Sequence, residues 1–224
     1  MTLQAKLDAF KADFEAGKPP YNVPPSVIEI MHRATAELKA TGQAERAKKV
    51  GDKAPSFNLK DPEGNDVSST ELLAKGPLVV SFYRGVWCPY CNLELQALQS
   101  ALPEFKKLGA GLVAISPQTA PNSRKSTRQN HLTFPILSDI KGEVGEAFGL
   151  KFKLPDYLVA LYMSLKNDLP SFNDDSEWTL PMPARYAIGQ DGTILYSEVN
   201  ADYTRRPEPE DMLPAIEKSA KIAA

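Results

Sequence analysis

Apolar residues return every three or four positions near the start of the chain, at Leu3, Leu7, Phe10 and Phe14, drawing one face of a helix that Gly17 and the Pro19-Pro20 pair end. A second amphipathic helix is predicted after Pro24-Pro25, with Ser26 as its cap and Val27, Ile30, Met31, Ala34 and Leu38 on its apolar face before Gly42. Residues 1–50 therefore read as a helical extension. At Gly51 the composition changes: Gly, Pro and Asp punctuate short strand-like pieces, and PEGN reads as a tight turn. From there the pattern alternates. Residues 77–83 form a continuous apolar run suited to a buried strand, and residues 88 to about 108 have helical spacing through Cys91, Leu95, Leu98, Leu102 and Phe105. Residues 111–117 form the next strand, so the three pieces predict a right-handed parallel crossover. FPILSD predicts a short strand, GEVGEAFGL a short helix, and ARYAIG with TILYSEV a hairpin around QDG. A last helix over 207–222 begins in Pro207, Glu208 and Glu210 and ends in lysines, as the helix dipole favours. Residues 51–224 thus predict one α/β domain. Its segment 153–182, with its prolines and aromatic residues, reads as an insertion with a short apolar helix near LVALYMSL, either an irregular packing element or a roof over a site.

Composition narrows the function classes. The 224 residues are 42% hydrophobic and 24% charged with a net charge of −2, an ordinary globular balance. The 26 basic and 28 acidic residues are interspersed, so neither a nucleic-acid partner nor a basic one is expected. The first seventeen residues carry charges throughout and predict no signal peptide, and no apolar run of about 18 residues predicts a membrane helix. Only two cysteines are present, both in one short motif, which suits a reducing compartment and makes the cytoplasm the expected location.

That motif, Trp87-Cys88-Pro89-Tyr90-Cys91, falls where a buried strand ends and a helix begins. With Cys88 at the N-cap, Pro89 occupies the first helical position, where its missing N–H costs nothing. Free N–H groups and the positive end of the helix then face the Cys88 sulfur, favouring thiolate at an exposed helix edge. Cys91 lies one turn inward, close enough for a small disulfide that cycles two electrons. Half of a zinc site and a pair of merely buried cysteines are the alternatives. The first lacks a second C-x-x-C, and His32 and His131 are isolated; neither accounts for the flanking Trp87 and Pro89.

Residues Phe82 to Cys91, preceded by GDKAPSFNLKDPEGNDVSSTELL and followed by LVAISPQ, FPILSDIKGEVGEAFGL and YAIGQDGTILY, are similar to the peroxiredoxin-like branch of the alkyl hydroperoxide reductase and thiol-specific antioxidant family, over residues 51 to about 200. The resemblance implies a thioredoxin fold and a thiol-dependent peroxidase that reduces hydrogen peroxide or organic hydroperoxides without metal or organic cofactor. Cys88 would attack the peroxide, Cys91 would resolve the sulfenic acid as a disulfide, and thioredoxin, glutaredoxin or glutathione would reduce it. Trp87, Pro89, Tyr90 and Pro183 would face the substrate, with Pro183 in the place of the fold's cis-proline. Trp87 and Tyr90 also read simply as shielding for the redox pair, and Pro183 as a turn proline. The family places Pro and then Thr or Ser seven and three residues before the peroxidatic cysteine; here these are Ser81 and Gly85, so the peroxide-holding hydroxyl is missing. Arg185 and Arg84 are both candidates for the family arginine. Phe82 stands where thioredoxins carry a buried aspartate, leaving Glu94 or water as proton acceptor, although a solvated helix glutamate is the commoner reading. The apolar faces of the two leading helices point to docking on a second subunit in a homodimer or on their own core. A protein disulfide oxidoreductase without peroxidase activity and a redox-sensing interaction module are the rival readings.

Overall fold

The leading helices form as their spacing predicts in the computed structural model, which describes residues 1–223: α1 (Leu3–Glu15), α2 (Pro25–Ala40) and one further turn, α3 (Gln43–Arg46). Next come a hairpin, β1 (Asn58–Lys60) and β2 (Asp66–Ser68), and the short α4 (Ser69–Leu73). The crossover is β3 (Leu78–Phe82), α5 (Pro89–Lys107) and β4 (Gly111–Ser116), continued by α6 (Ala120–Gln129), β5 (Ile136–Ser138) and α7 (Glu143–Ala147). The insertion contains β6 (Lys151–Lys153), α8 (Asp156–Ser164), α9 (Leu169–Asn173) and β7 (Thr179–Pro181). A second hairpin, β8 (Ala184–Ile188) and β9 (Ile194–Val199), precedes a 3₁₀ turn at Pro209–Met212 and α10 (Leu213–Ala223).

The main sheet runs β2-β1-β5-β4-β3-β8-β9, with β3 parallel to β4, β4 parallel to β5, and β8 antiparallel to β3. Every residue of β3 is buried because both faces of the sheet are covered. Val79 and Tyr83 join the α5 side, with Leu95, Leu98 and Phe105; Leu78, Val80 and Phe82 join the opposite side, with Phe148, Tyr186 and Ile188. This sandwich, with the redox motif at the carboxyl end of β3, is the thioredoxin fold.

α1 and α2 cover surfaces of their own chain. Leu3 and Leu7 are buried against α5, and burial of side chains of this size contributes about 1.5–3 kcal/mol each. Thr2 caps α1 by accepting from the Ala5 N–H at 3.2 Å, and the Glu208 carboxylate accepts from the Leu3 N–H at 2.7 Å, an anion placed where the helix dipole favours it. α2 packs on α8 in a third apolar cluster with Val27, Leu158 and Leu161. The faces that motivated a homodimer are therefore used within the chain.

Several local expectations change. α2 starts at Pro25, so Ser26 lies inside the helix and makes no cap. The final helix begins later than Pro207, because Glu208 and Asp211 build a capping box around the 3₁₀ turn; of its lysines, the Lys221 side chain lies outside the described residues. The Met182–Pro183 bond is trans, since among the described residues the only cis bond is Pro19–Pro20.

Candidate active site

The end of β3 delivers Arg84, Gly85, Val86 and Trp87 into a loop that is pinned before α5 begins. The Val86 N–H donates to Gln118 Oε1 at 2.9 Å, Asn92 Nδ2 donates to the Val86 carbonyl at 2.9 Å, and the Cys88 N–H donates to the Gly85 carbonyl at 3.1 Å. Gln118 is itself held by Tyr83, Ser123 and Ser126. Cys88 is the N-cap of α5 and Pro89 its first residue, as the motif predicts.

Both thiols are free, and both are buried: Cys88 is 1% exposed and Cys91 0%. The expectation of an exposed Cys88 is corrected by its cover. Trp87 and Tyr203 pack on the apolar cluster that contains the two sulfurs, and Arg84 Nη1 stands 4.0 Å from Cys88 Sγ. Burial by itself raises the pKa of Cys88. The hydrogen bond from the Cys91 thiol, the charge on Arg84, the Cys91 backbone N–H and the charge on Arg206 outweigh it and bring Cys88 down to about 6. Burial, and then the neighbouring Cys88, raise Cys91 well above the ordinary thiol range. The two cysteines are thus shifted in opposite directions, Cys88 toward thiolate and Cys91 toward thiol.

Arg84 is held by aromatic rings. Its guanidinium lies 4.2 Å from the Tyr203 ring centre and 4.9 Å from that of Trp87, and Nη2 donates to the hydroxyl of Tyr162 on α8. The insertion therefore takes part in the site through Tyr162, which also meets Trp87 edge to face at 5.6 Å. Of the two arginines weighed from the sequence, Arg84 is the one beside the sulfur. Arg185, opposite Ser81 in the sheet, is 1% exposed and faces Glu94, with Nε 3.1 Å from Oε1, while its other end donates to the Pro207 carbonyl. Glu94 is buried rather than solvated, because Arg206 Nε pairs with its second oxygen. Pattern reasoning missed Arg206, Tyr162 and Tyr203. Glu94 did carry a signal: it lies three residues after Cys91 and four before Leu98, on the buried stripe of α5.

Gly85 accounts for the missing hydroxyl. A Cβ there would lie 2.5 Å from Trp87 Nε1, and the glycine's φ of +151° is one that residues with side chains rarely adopt. With Trp87 in this place, neither threonine nor serine fits at 85. Tyr90 packs edge to face on Phe10 of α1 at 4.9 Å and on Tyr203 at 5.5 Å. Pro183 lies with Arg84 in the wall of a neighbouring cavity.

Two free cysteines, one at the N-cap of α5 and one a turn inward, stand at the carboxyl end of β3 in a thioredoxin fold. Residues 50–197 match the AhpC/TSA family, and the chain belongs to it as a peroxiredoxin-type protein. It is 34% identical over 100 residues to the chloroplastic peroxiredoxin Q of Sedum lineare, a match covering 45% of this chain and 53% of that one. A Mycobacterium tuberculosis relative is 32% identical over 103 residues, 46% of this chain and 67% of that one. The chain thus spans between half and two thirds of these relatives. Among solved structures, the peroxidoxin BcpB of M. tuberculosis superimposes with a TM-score of 0.59 at 23% identity, covering 76% of this chain and 97% of that one. Peroxiredoxin Q of Xanthomonas campestris gives 0.55 at 18% identity, covering 73% and 91%.

Proposed function

We propose that the protein reduces peroxides through Cys88 and Cys91. The Cys88 thiolate attacks the terminal peroxide oxygen and the O–O bond breaks. The sulfur is oxidised to sulfenic acid, and the departing alkoxide or hydroxide takes a proton from water. The Cys91 thiol then displaces water from the sulfenic acid, giving a disulfide, and two equivalents of an external thiol restore the dithiol while becoming a disulfide themselves. The observation that carries this reading is the placing of Cys88 at the N-cap of α5, 4.0 Å from Arg84 Nη1, with Cys91 one turn inward; these surroundings lower the Cys88 pKa and raise that of Cys91. Arg84 offers its guanidinium to the oxygen on which negative charge develops, in the place of the hydroxyl that Gly85 lacks.

The same reading takes residues 1–50 as an extension of a 51–224 catalytic unit, thioredoxin, glutaredoxin or glutathione as the donor, and the cytoplasm as the compartment. Among the described residues, no helix is long and apolar enough to cross a membrane. A dimer would have to use a surface other than the packed faces of α1 and α2, which sedimentation of the full chain reads. The deciding assay is peroxide consumption with each of the three thiol donors, run beside insulin reduction. Peroxide turnover supports the proposal; insulin reduction without it favours the disulfide oxidoreductase.

A further inference from the structure

Val86 lies midway between Arg84 and Cys88, and side chains hold its backbone from both sides. Its N–H donates to Gln118 Oε1 and its carbonyl accepts from Asn92 Nδ2, each at 2.9 Å. Both holders are fixed in turn by α6. Gln118 is wholly buried, and its Nε2 donates to the Tyr83 hydroxyl at 2.6 Å, to Ser126 Oγ at 3.2 Å and to Ser123 Oγ at 3.3 Å. Asn92 Oδ1 accepts at 3.0 Å from Nδ2 of Asn130, the C-cap of α6, and the same Nδ2 donates to the Ser126 carbonyl at 3.1 Å. What α6 and its cap bury is therefore Ser123, Ser126 and Asn130. Hydroxyl and amide groups are unfavourable to bury unless each finds a partner, and a network in which they do fixes one geometry. The polar inner face of α6 thus serves to hold the Val86 backbone, not to fill a core.

We propose that Gln118 is a positioning residue for the Cys88 reaction: through the Val86 N–H it holds the 84–87 loop closed, so that the Arg84 guanidinium stays at the sulfur. The inference rests on the peroxidase reading and adds to it a residue that acts through the loop. Gly85 is the reason a holder is needed. It joins Arg84 to Val86 at a φ of +151°, and glycine has the widest choice of backbone angles. With Val86 released, rotation at Gly85 lets Arg84 and Trp87 move off Cys88, which they now leave 1% exposed with Arg84 Nη1 4.0 Å away. The closed loop has two opposite consequences. It hinders a reagent approaching the thiolate, and it keeps a positive charge where the oxygen of a breaking O–O bond becomes negative. Loss of Gln118 therefore quickens simple alkylation and slows peroxide reduction, a split that a general loss of stability does not produce.

The test uses the full chain and Gln118→Met, which keeps the length of the side chain and removes its polar groups. Iodoacetamide alkylation of Cys88 is followed by mass spectrometry across pH, and oxidation by hydrogen peroxide by stopped flow. In the variant the limiting alkylation rate should rise about threefold, its midpoint should move above 6, and the peroxide rate should fall about tenfold or more. Asn92→Ala, at a partly exposed position of α5, releases the Val86 carbonyl instead and should shift all three in the same directions by less. A parental peroxide rate in a folded Gln118→Met protein overturns the proposal, and so does a fall of both rates together. If Gln118→Met does not fold, Asn92→Ala decides, and a parental peroxide rate there overturns it equally. A parent that consumes no peroxide removes the peroxidase reading, while faster alkylation with a raised midpoint in Gln118→Met keeps the clamp.

Discussion

Two clusters of buried arginine flank the first turns of α5, and they are built oppositely. Arg185 and Arg206 share the single carboxylate of Glu94, so half of their combined charge is answered inside the protein. Arg84, also buried, has no carboxylate paired with it among the described residues; its neighbours are three aromatic rings, the Tyr162 hydroxyl and the Cys88 sulfur. Aromatic faces hold a guanidinium without neutralising it. The first cluster therefore ties Arg206 and β8 to α5, while the second keeps a positive charge beside the thiolate. The difference separates arginines paired to a carboxylate, of which Arg206 still helps to lower the Cys88 pKa, from one that stands at the sulfur with no such partner.

The comparison can be broken most severely at Glu94. Glu94→Gln leaves two buried guanidinium groups facing a neutral amide, and loss of about 3–5 kcal/mol of stability is expected in urea unfolding. A loss below about 1 kcal/mol would mean that the two clusters do not differ in kind. Arg84→Met, by contrast, removes charge from the sulfur: Cys88 should titrate above 6, and the peroxide rate at pH 7 should fall about 10²-fold or more, as stopped-flow oxidation reads. Arg84→Lys should recover only part of this, because an ammonium does not stack between rings as a guanidinium does. In the parent protein, alkylation of Cys88 by iodoacetamide should rise with pH through about 6 and level off above it. The sign follows from the thiolate being the reactive form, and one pH unit below the midpoint the rate should be about tenfold lower. The smallest effect is expected from Tyr162→Phe, which removes one hydrogen bond and leaves the ring. Its peroxide kcat/KM should fall about fivefold, with little change in the alkylation midpoint.

What the sequence made legible was whatever repeats locally. The β3–α5–β4 crossover, the β8–β9 hairpin and the Cys88–Pro89 helix start follow from spacing and cap chemistry, and they stand as expected. Helix α6 was not legible, because APNSRKSTRQ buries only Ser123 and Ser126 and so shows no apolar stripe. The β6–β7 pair escaped for a related reason: each strand has three residues, one ends in Pro181, and they meet across a span that also holds two helices. At the site, the cysteines and Arg84 were legible because one strand-to-helix turn delivers them together. Tyr162, Tyr203 and Arg206 arrive from segments more than seventy residues away. Gly85 shows a further limit. Its meaning depends on where the Trp87 ring lies, and nothing in the order of residues fixes a side-chain position.

The central claim, that Cys88 is the thiolate that meets peroxide, is tested most directly by mass spectrometry of the Cys91→Ser protein after one equivalent of cumene hydroperoxide, with dimedone present to trap sulfenic acid. The account predicts one dimedone adduct, on Cys88, under conditions in which the parent protein forms the Cys88–Cys91 disulfide. A Cys91→Ser protein whose Cys88 stays a free thiol under those conditions would contradict it.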